Sequence, residues 1–129
     1  MHQARRGRER GSAVVDFVLV LVVLVPLFLG ILQVALVLMV RNTLASAASE
    51  GARYAATVDR GPEDGVARTR QQIDSAISGR FARDVDASTV MIDGAPAVEV
   101  TVHATVPALG LGGPGISIEV TGHAIEEQQ

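Results

Sequence analysis

The sequence predicts an α+β protein, with one long N-terminal transmembrane and stalk helix followed by a small module of one helix and about three antiparallel strands. The chain has 129 residues, of which 48% are hydrophobic, enough for one small domain. Residues 17–40 carry no charge, with Gln33 as their only clearly polar side chain, so they can span a bilayer. Near the C-terminus, apolar and polar residues alternate as in half-buried strands. A single apolar span argues against a polytopic carrier or channel.

The first predicted unit is a basic leader, residues 1–11, in which four arginines stand against Glu9. The whole chain has a formal net charge of −3, so the remainder is acidic. A basic patch beside an apolar span tends to stay in the cytoplasm. We therefore expect a single-pass protein of the cell membrane with a cytoplasmic N-terminus and an extracytoplasmic C-terminal module. Because the leader is polar and broken by glycine, we expect it to be disordered or removed.

The second predicted unit is the long helix, residues 12–57. At about 1.5 Å per residue its apolar part extends about 36 Å, slightly more than a hydrocarbon core of about 30 Å. After Val40 the residues become small and polar, and alanines recur at four-residue spacing at Ala48, Ala52 and Ala56. Such a stripe lets another helix approach closely. The alternative is that alanine simply favours the helical backbone.

The third predicted unit is the module, residues 58–129. Pro62 and the two acids that follow are typical of a first helical turn, and the apolar spacing predicts a helix over residues 63–83. Three strands follow, and either this helix or the end of the long helix can cover their apolar face. The predicted strands and connections are residues 89–92, a turn at 93–96, a strand at 98–106, a turning connection at 107–115 and a strand at 116–121.

Several functional classes are disfavoured by residue types. The chain has no Cys, which excludes disulfides and thiolate chemistry. An acidic, aromatic-poor module is a poor surface for nucleic acid. His103 and His123 lack a third His, so solvated strand positions are favoured over a zinc site. There is no phosphate-binding glycine loop and no nucleophile elbow. We predict no catalytic residue, no cofactor and no metal, and hence a protein that is not an enzyme.

The N-terminal part of the helix combines Gly11, Ser12 and Asp16 directly before the apolar run. A charge at the centre of a membrane helix is costly, less so near the interface where it reaches water, and a plain anchor has no need of it. If a peptidase cut after Gly11, Ser12 would carry a free amine and Asp16 would be the fifth residue. Its carboxylate could then neutralise the amine of a neighbouring subunit and set the axial stagger. The alternatives are a carboxylate tolerated at the membrane edge and a flexible glycine linker.

Two segments carry a resemblance to a known family. The run Arg10–Phe17, followed by the apolar segment with Pro26 and Gly30, resembles the start of TadE-like pseudopilins of the Flp/Tad (type IVb) pilus system. Residues 50–56, which read EGARYAA, resemble the segment after the membrane helix in that family. The resemblance covers residues 10–56.

The resemblance implies a pilin-like fold and a structural subunit, a minor pseudopilin, cut after Gly11 by a prepilin peptidase. The implied partners are the membrane, that peptidase, other pilins and pseudopilins, a polytopic Tad platform protein and a secretion ATPase, in a hetero-oligomer. The family usually has Glu at the fifth mature position, whereas this chain has Asp16, whose reach is one methylene shorter.

The main alternative is an uncleaved, signal-anchored extracytoplasmic binding module with no role in a filament. Secretory cleavage after the sequence at residues 45–47 (ASA) is disfavoured, because the apolar run far exceeds the about 7–15 residues of a secretory signal.

Overall fold

A computed structural model describes residues 3–110 and 112–128 and confirms the predicted α+β class. Two α-helices and a short 3-10 helix precede a three-stranded antiparallel sheet with the strand order β1-β2-β3. The elements are α1 (Gln3–Ala55), α2 (Pro62–Ala76), the 3-10 helix (Gly79–Ala82), β1 (Asp84–Ile92), β2 (Ala95–Val106) and β3 (Ile116–Ile125).

Helix α1 begins earlier than predicted and includes most of the basic leader. The expectation of disorder is therefore wrong for residues 3–11, which are helical. Arginine, glutamate and alanine dominate this stretch, and their helix propensity outweighs that of Gly7 and Gly11. Pro26 lies inside α1 without ending it. Proline is tolerated in this way in membrane helices.

Helix α1 ends at Ala55, two residues before the predicted boundary. The hydroxyl of Thr57 donates a hydrogen bond to the carbonyl oxygen of Tyr54 at 2.7 Å and so satisfies one of the last carbonyls of the helix. Two residues later the backbone of Asp59 is left-handed, with φ of 65°, which prevents the helix from continuing.

Helix α2 is shorter than predicted. It ends at Ala76, after which Ser78 caps the separate 3-10 helix by accepting a hydrogen bond from the backbone N–H of Arg80. The predicted apolar face survives this break, because Ile73 of α2 and Phe81 of the 3-10 helix are both buried.

Strands β1 and β2 form a tight hairpin. β1 begins at Asp84, before the predicted strand, and only Asp93 and Gly94 remain in the turn. Both have positive φ, 50° and 81°, as a two-residue hairpin loop with the twist of the adjoining strands requires. β2 starts again at Ala95, so the predicted turn was too long by two residues.

The core lies between the sheet and both helices. The predicted alternation of β2 is confirmed, since Val98, Val100 and Val102 are completely buried. The C-terminal part of α1 packs on β3 and β2, and α2 packs on β1 and on α1. Leu44 of α1 is as buried as the valines of the sheet. The end of the long helix is therefore part of the module's core.

Two close backbone approaches hold these layers together. At Gly122 of β3, an added Cβ would lie 2.5 Å from the carbonyl carbon of Ala48 and 2.7 Å from the Cα of Ser49. Where α1 crosses α2, an added Cβ on Gly51 would lie 2.8 Å from the carbonyl oxygen of Gly65. Both contacts require a residue without a side chain.

Candidate assembly site

The N-terminal residues singled out by the sequence lie on an exposed part of α1. Ser12 and Asp16 are four residues apart, about one helical turn, so they share one face of the helix. Asp16 is exposed, as are the apolar side chains of Val15 and Phe17 beside it. The structure thus presents a single carboxylate at the start of an apolar surface.

Gly11 has no structural reason to be glycine in this fold. It lies within α1, its φ is not positive, and an added Cβ would meet no atom within 4 Å. The same lack of neighbouring atoms holds for Gly7. These two glycines therefore form a matched pair, equivalent in the fold and different only in their distance from Ser12.

Between Asp16 and the module, most side chains of α1 are apolar and exposed. The described helix contains one stretch long and apolar enough to cross a membrane, and 0% of the most apolar part of it is buried within the chain. Val22, Val23 and Ile31, for example, are 64%, 69% and 60% exposed. Such a surface needs lipid or other apolar helices around it. The helix fits a single-pass membrane anchor.

The predicted alanine stripe lies in the interior of the module. Ala48 and Ala52 are completely buried and Ala56 is 5% exposed, because α2 and the sheet cover them. This chain itself therefore occupies the close approach that the small side chains allow. The side chains that α1 leaves exposed at this level are polar, at Arg41, Asn42, Ser46 and Arg53.

The EGARYAA segment docks α2 onto α1, a role that the sequence did not reveal. Glu50 lies 4.0 Å from the guanidinium of Arg68 on α2, and Gly51 contacts Thr69. The guanidinium carbon of Arg60 lies over the face of the Tyr54 ring, 3.7 Å from the ring centroid, and that of Arg68 lies 5.6 Å from the same centroid. These contacts are mutually supporting, since cations stack favourably on aromatic faces.

The outer face of the sheet is polar and open. His103 pairs with Asp84 of β1 and Glu119 of β3 in the register, and its Nδ1 lies 3.4 Å from a carboxylate oxygen of Glu119. His123 lies on the same face, four residues after Glu119 on β3. Over residues 3–110 and 112–128, no group of three or more His, Asp or Glu side chains is arranged to hold a metal ion. Both histidines are exposed, as expected of solvated strand positions.

The one polar residue of the apolar run, Gln33, makes a contact that the sequence did not predict. Its side-chain amide donates to the carbonyl oxygen of Pro107 at 3.3 Å and accepts from the backbone N–H of Leu109 at 2.6 Å. The connection between β2 and β3 is thus attached to α1 inside the apolar run. An isolated glutamine among apolar residues was the available signal, but nothing in the sequence indicated its partner.

Comparison with known proteins gives one match. Residues 11–53 match the model of a family described as TadE-like protein, a segment that begins at Gly11 and ends within α1. Neither a curated protein nor a solved structure was found to match the chain. The match contains Ser12, Asp16, the apolar run and most of the segment that docks α2. Over residues 11–53, about a third of its length, this chain is therefore similar to the TadE-like family.

Proposed function

We propose that this protein is a structural subunit, a minor pseudopilin, of a Tad-type pilus or a related secretion apparatus. The observation that carries the proposal is a TadE-like segment that coincides with an uncovered apolar helix headed by a carboxylate. The TadE-like family is a structural family associated with Tad pili, so the match supports a role in pilus assembly and not in catalysis. The finer steps below rest on this chain's own residues.

The first step is removal of the leader by a prepilin peptidase, which cuts between Gly11 and Ser12. The arginines of the leader, at positions 5, 6, 8 and 10, favour retention of this end in the cytoplasm. Processing there leaves Ser12 as a terminal ammonium at the start of the apolar helix. That new charge needs a partner in a surface that is otherwise apolar.

The second step is lateral packing of the membrane helix among those of other pilins and pseudopilins. The carboxylate of Asp16 lies about 6 Å along the axis from Ser12, at about 1.5 Å per residue. A neighbouring helix displaced by about one turn therefore brings its terminal amine level with this carboxylate. The pairing fixes the stagger of the helices, while the module, whose own alanine stripe is filled, stays outside the helical array.

The test is the N-terminus and intact mass of the protein isolated from its own cells. A chain that begins at Ser12 supports the proposal. The Gly11→Ala variant is expected to accumulate at full length, because on this proposal the peptidase requires glycine itself before its cleavage point. Gly7→Ala is the matched control, since both glycines are helical and neither has a neighbouring atom within 4 Å. Equal processing of the two variants would contradict the proposed cleavage.

The role of Asp16 is tested separately, by recovery of the processed protein with its pilus partners. Asp16→Ala is expected to be processed and to reach the membrane but to be lost from the assembly. Asp16→Glu keeps the negative charge on a side chain that is one methylene longer, and this variant is expected to assemble. If Asp16→Ala co-purifies with the partners as well as the wild type does, charge pairing is not what holds the subunit.

The second candidate function is an uncleaved, signal-anchored extracytoplasmic binding module. One observation favours it: α1 runs from Gln3 through Gly11 without a break, as a permanent anchor does. This alternative predicts a chain that keeps its leader in cells and tolerates both Gly11→Ala and Asp16→Ala. The same mass measurement therefore separates the two functions.

A further inference from the structure

The connection between β2 and β3 lies against the apolar run of α1 and not against the polar part of the stalk. In addition to the hydrogen bonds to Gln33, an added Cβ on Gly110 would lie 3.2 Å from the Cδ1 of Leu29. Leu29 is twelve residues before Arg41, the first charge after the run, or about 18 Å along the helix at about 1.5 Å per residue. We call residues 107–110 and 112–115 the basal loop.

The basal loop has the composition of a segment that contacts lipid. It carries no charged side chain, and Leu109 is 41% exposed. Pro107 and Pro114 have no backbone N–H. The segment therefore has fewer hydrogen-bond donors to leave unsatisfied when it moves out of water. Gln33 pairs with the carbonyl of Pro107 and the N–H of Leu109, and these bonds also satisfy its own amide.

The length of the helix places this loop at a membrane boundary. A hydrocarbon core of about 30 Å takes about 20 helical residues. Counted from Ala13, such a span ends at Leu32, directly before Gln33. Counted from Phe17, after the charge of Asp16, it ends near Leu36. In either placement the level of Gln33 and the basal loop falls at or just inside the boundary on the C-terminal side of the span.

Only one face of α1 is covered at this level. Leu29 and Gln33 are partly buried against the basal loop, and Val37 is partly buried against the core of the module. Ile31, Val34 and Leu38 remain 60%, 60% and 53% exposed. The loop therefore continues the exposed apolar surface of the span around the base of the module. The hairpin turn at Asp93 and Gly94 lies at the opposite end of β2.

We propose that the basal loop inserts into the boundary between acyl chains and headgroups of the leaflet on the C-terminal side of the span. It forms a second lipid contact beside the membrane helix. Unpaired loop backbone is not stable deep in hydrocarbon, so this contact fixes the C-terminal boundary of the span near Gln33. Two attachments hold the module at a set height and tilt, which a single helix does not. The inference depends on membrane insertion of α1 and not on a role in pili.

The test uses tryptophan fluorescence, because the native chain has no Trp. Leu109→Trp is made in the full chain, which is reconstituted into vesicles of phosphatidylethanolamine and phosphatidylglycerol with bromine on the acyl chain close to the headgroup. Met91→Trp is the matched control, since Met91 is 67% exposed and lies beside the distal hairpin turn. Phe28→Trp, in the membrane helix, confirms that the preparation is inserted.

We expect the brominated lipid to remove about half of the Leu109→Trp emission and almost none of the Met91→Trp emission, as for a side chain at the interface. Adding Gln33→Ala to Leu109→Trp is expected to reduce that quenching, because the loop loses its attachment to α1. Unquenched Leu109→Trp beside quenched Phe28→Trp overturns the proposal. A blue-shifted but unquenched signal would do so as well, since it would mean that protein, for example a second copy, covers the loop. The N-terminal mass measurement is independent of every one of these results.

Discussion

At the scale of single residues, the fold depends most on positions where a side chain is absent. The packing of β3 on α1 leaves no room at Gly122, where an added Cβ would be 2.5 Å from the main chain of Ala48. The atoms that the added Cβ would meet belong to the main chain of α1, so they cannot rotate away as the end of a flexible side chain can. The sequence showed Gly122 only as a glycine in the third strand, because the approaching helix is more than seventy residues away in the chain.

We therefore predict that Gly122→Ala destabilises the module by about 2 kcal/mol, as overpacking of a filled core does. The single Tyr, Tyr54, is a reporter of module unfolding in denaturant, since the chain has no Trp. Gly61→Ser is the control, because an added Cβ at Gly61 has no atom within 4 Å and serine is a favourable N-cap. If both variants unfold at the same denaturant concentration as the wild type, the layers are less tightly packed than the structure shows.

At the scale of elements, the sequence predicted those whose pattern is local. The alternation of apolar and polar residues identifies β2 as a strand, and the long apolar run identifies α1 as a membrane helix. Gly and Pro mark the breaks between elements. The start of β1 was missed because Asp84, Asp86 and Ser88 place three polar side chains on its open face. The contact of Gln33 with Pro107 joins residues 74 positions apart, and no local pattern contains it. The same holds for the docking of Arg68 on Tyr54.

The β1–β2 hairpin gives a prediction at this scale. Gly94→Ala forces a residue with a Cβ into φ of 81° and is expected to cost about 1 kcal/mol of module stability. Asp93→Asn, at the preceding turn position, is expected to be almost neutral, because asparagine adopts left-handed backbone readily. Both are compared by denaturant unfolding followed through Tyr54. A loss in Asp93→Asn as large as that in Gly94→Ala would show that the carboxylate, and not the backbone, maintains the turn.

At the scale of the whole molecule, one helix serves two environments. Residues 14–32 of α1 are almost entirely exposed, whereas Val40, Leu44 and Ala48 are within the core of the module. The change occurs over about two turns, at the level of Gln33 and the basal loop. The sequence showed this change as a loss of hydrophobicity after Val40, which suggested a stalk. In the structure the same segment is the central helix of the module, covered by α2 and the sheet.

This arrangement predicts which fragment folds. A fragment of residues 36–129 keeps Val40, Leu44 and the alanines that fill the core, whereas residues 58–129, the module as bounded from the sequence, lose all of them. Removing a buried leucine side chain alone costs about 2–5 kcal/mol, which is comparable with the stability of a small domain. We expect a dispersed amide NMR spectrum from residues 36–129 and a collapsed one from residues 58–129. Adding Leu44→Ala to the longer fragment is expected to lower its unfolding midpoint strongly, while Ser46→Ala, on the exposed face of the same helix, leaves it nearly unchanged. A folded 58–129 fragment would mean that the sheet and α2 are stable without the helix, and that α1 is only a tether.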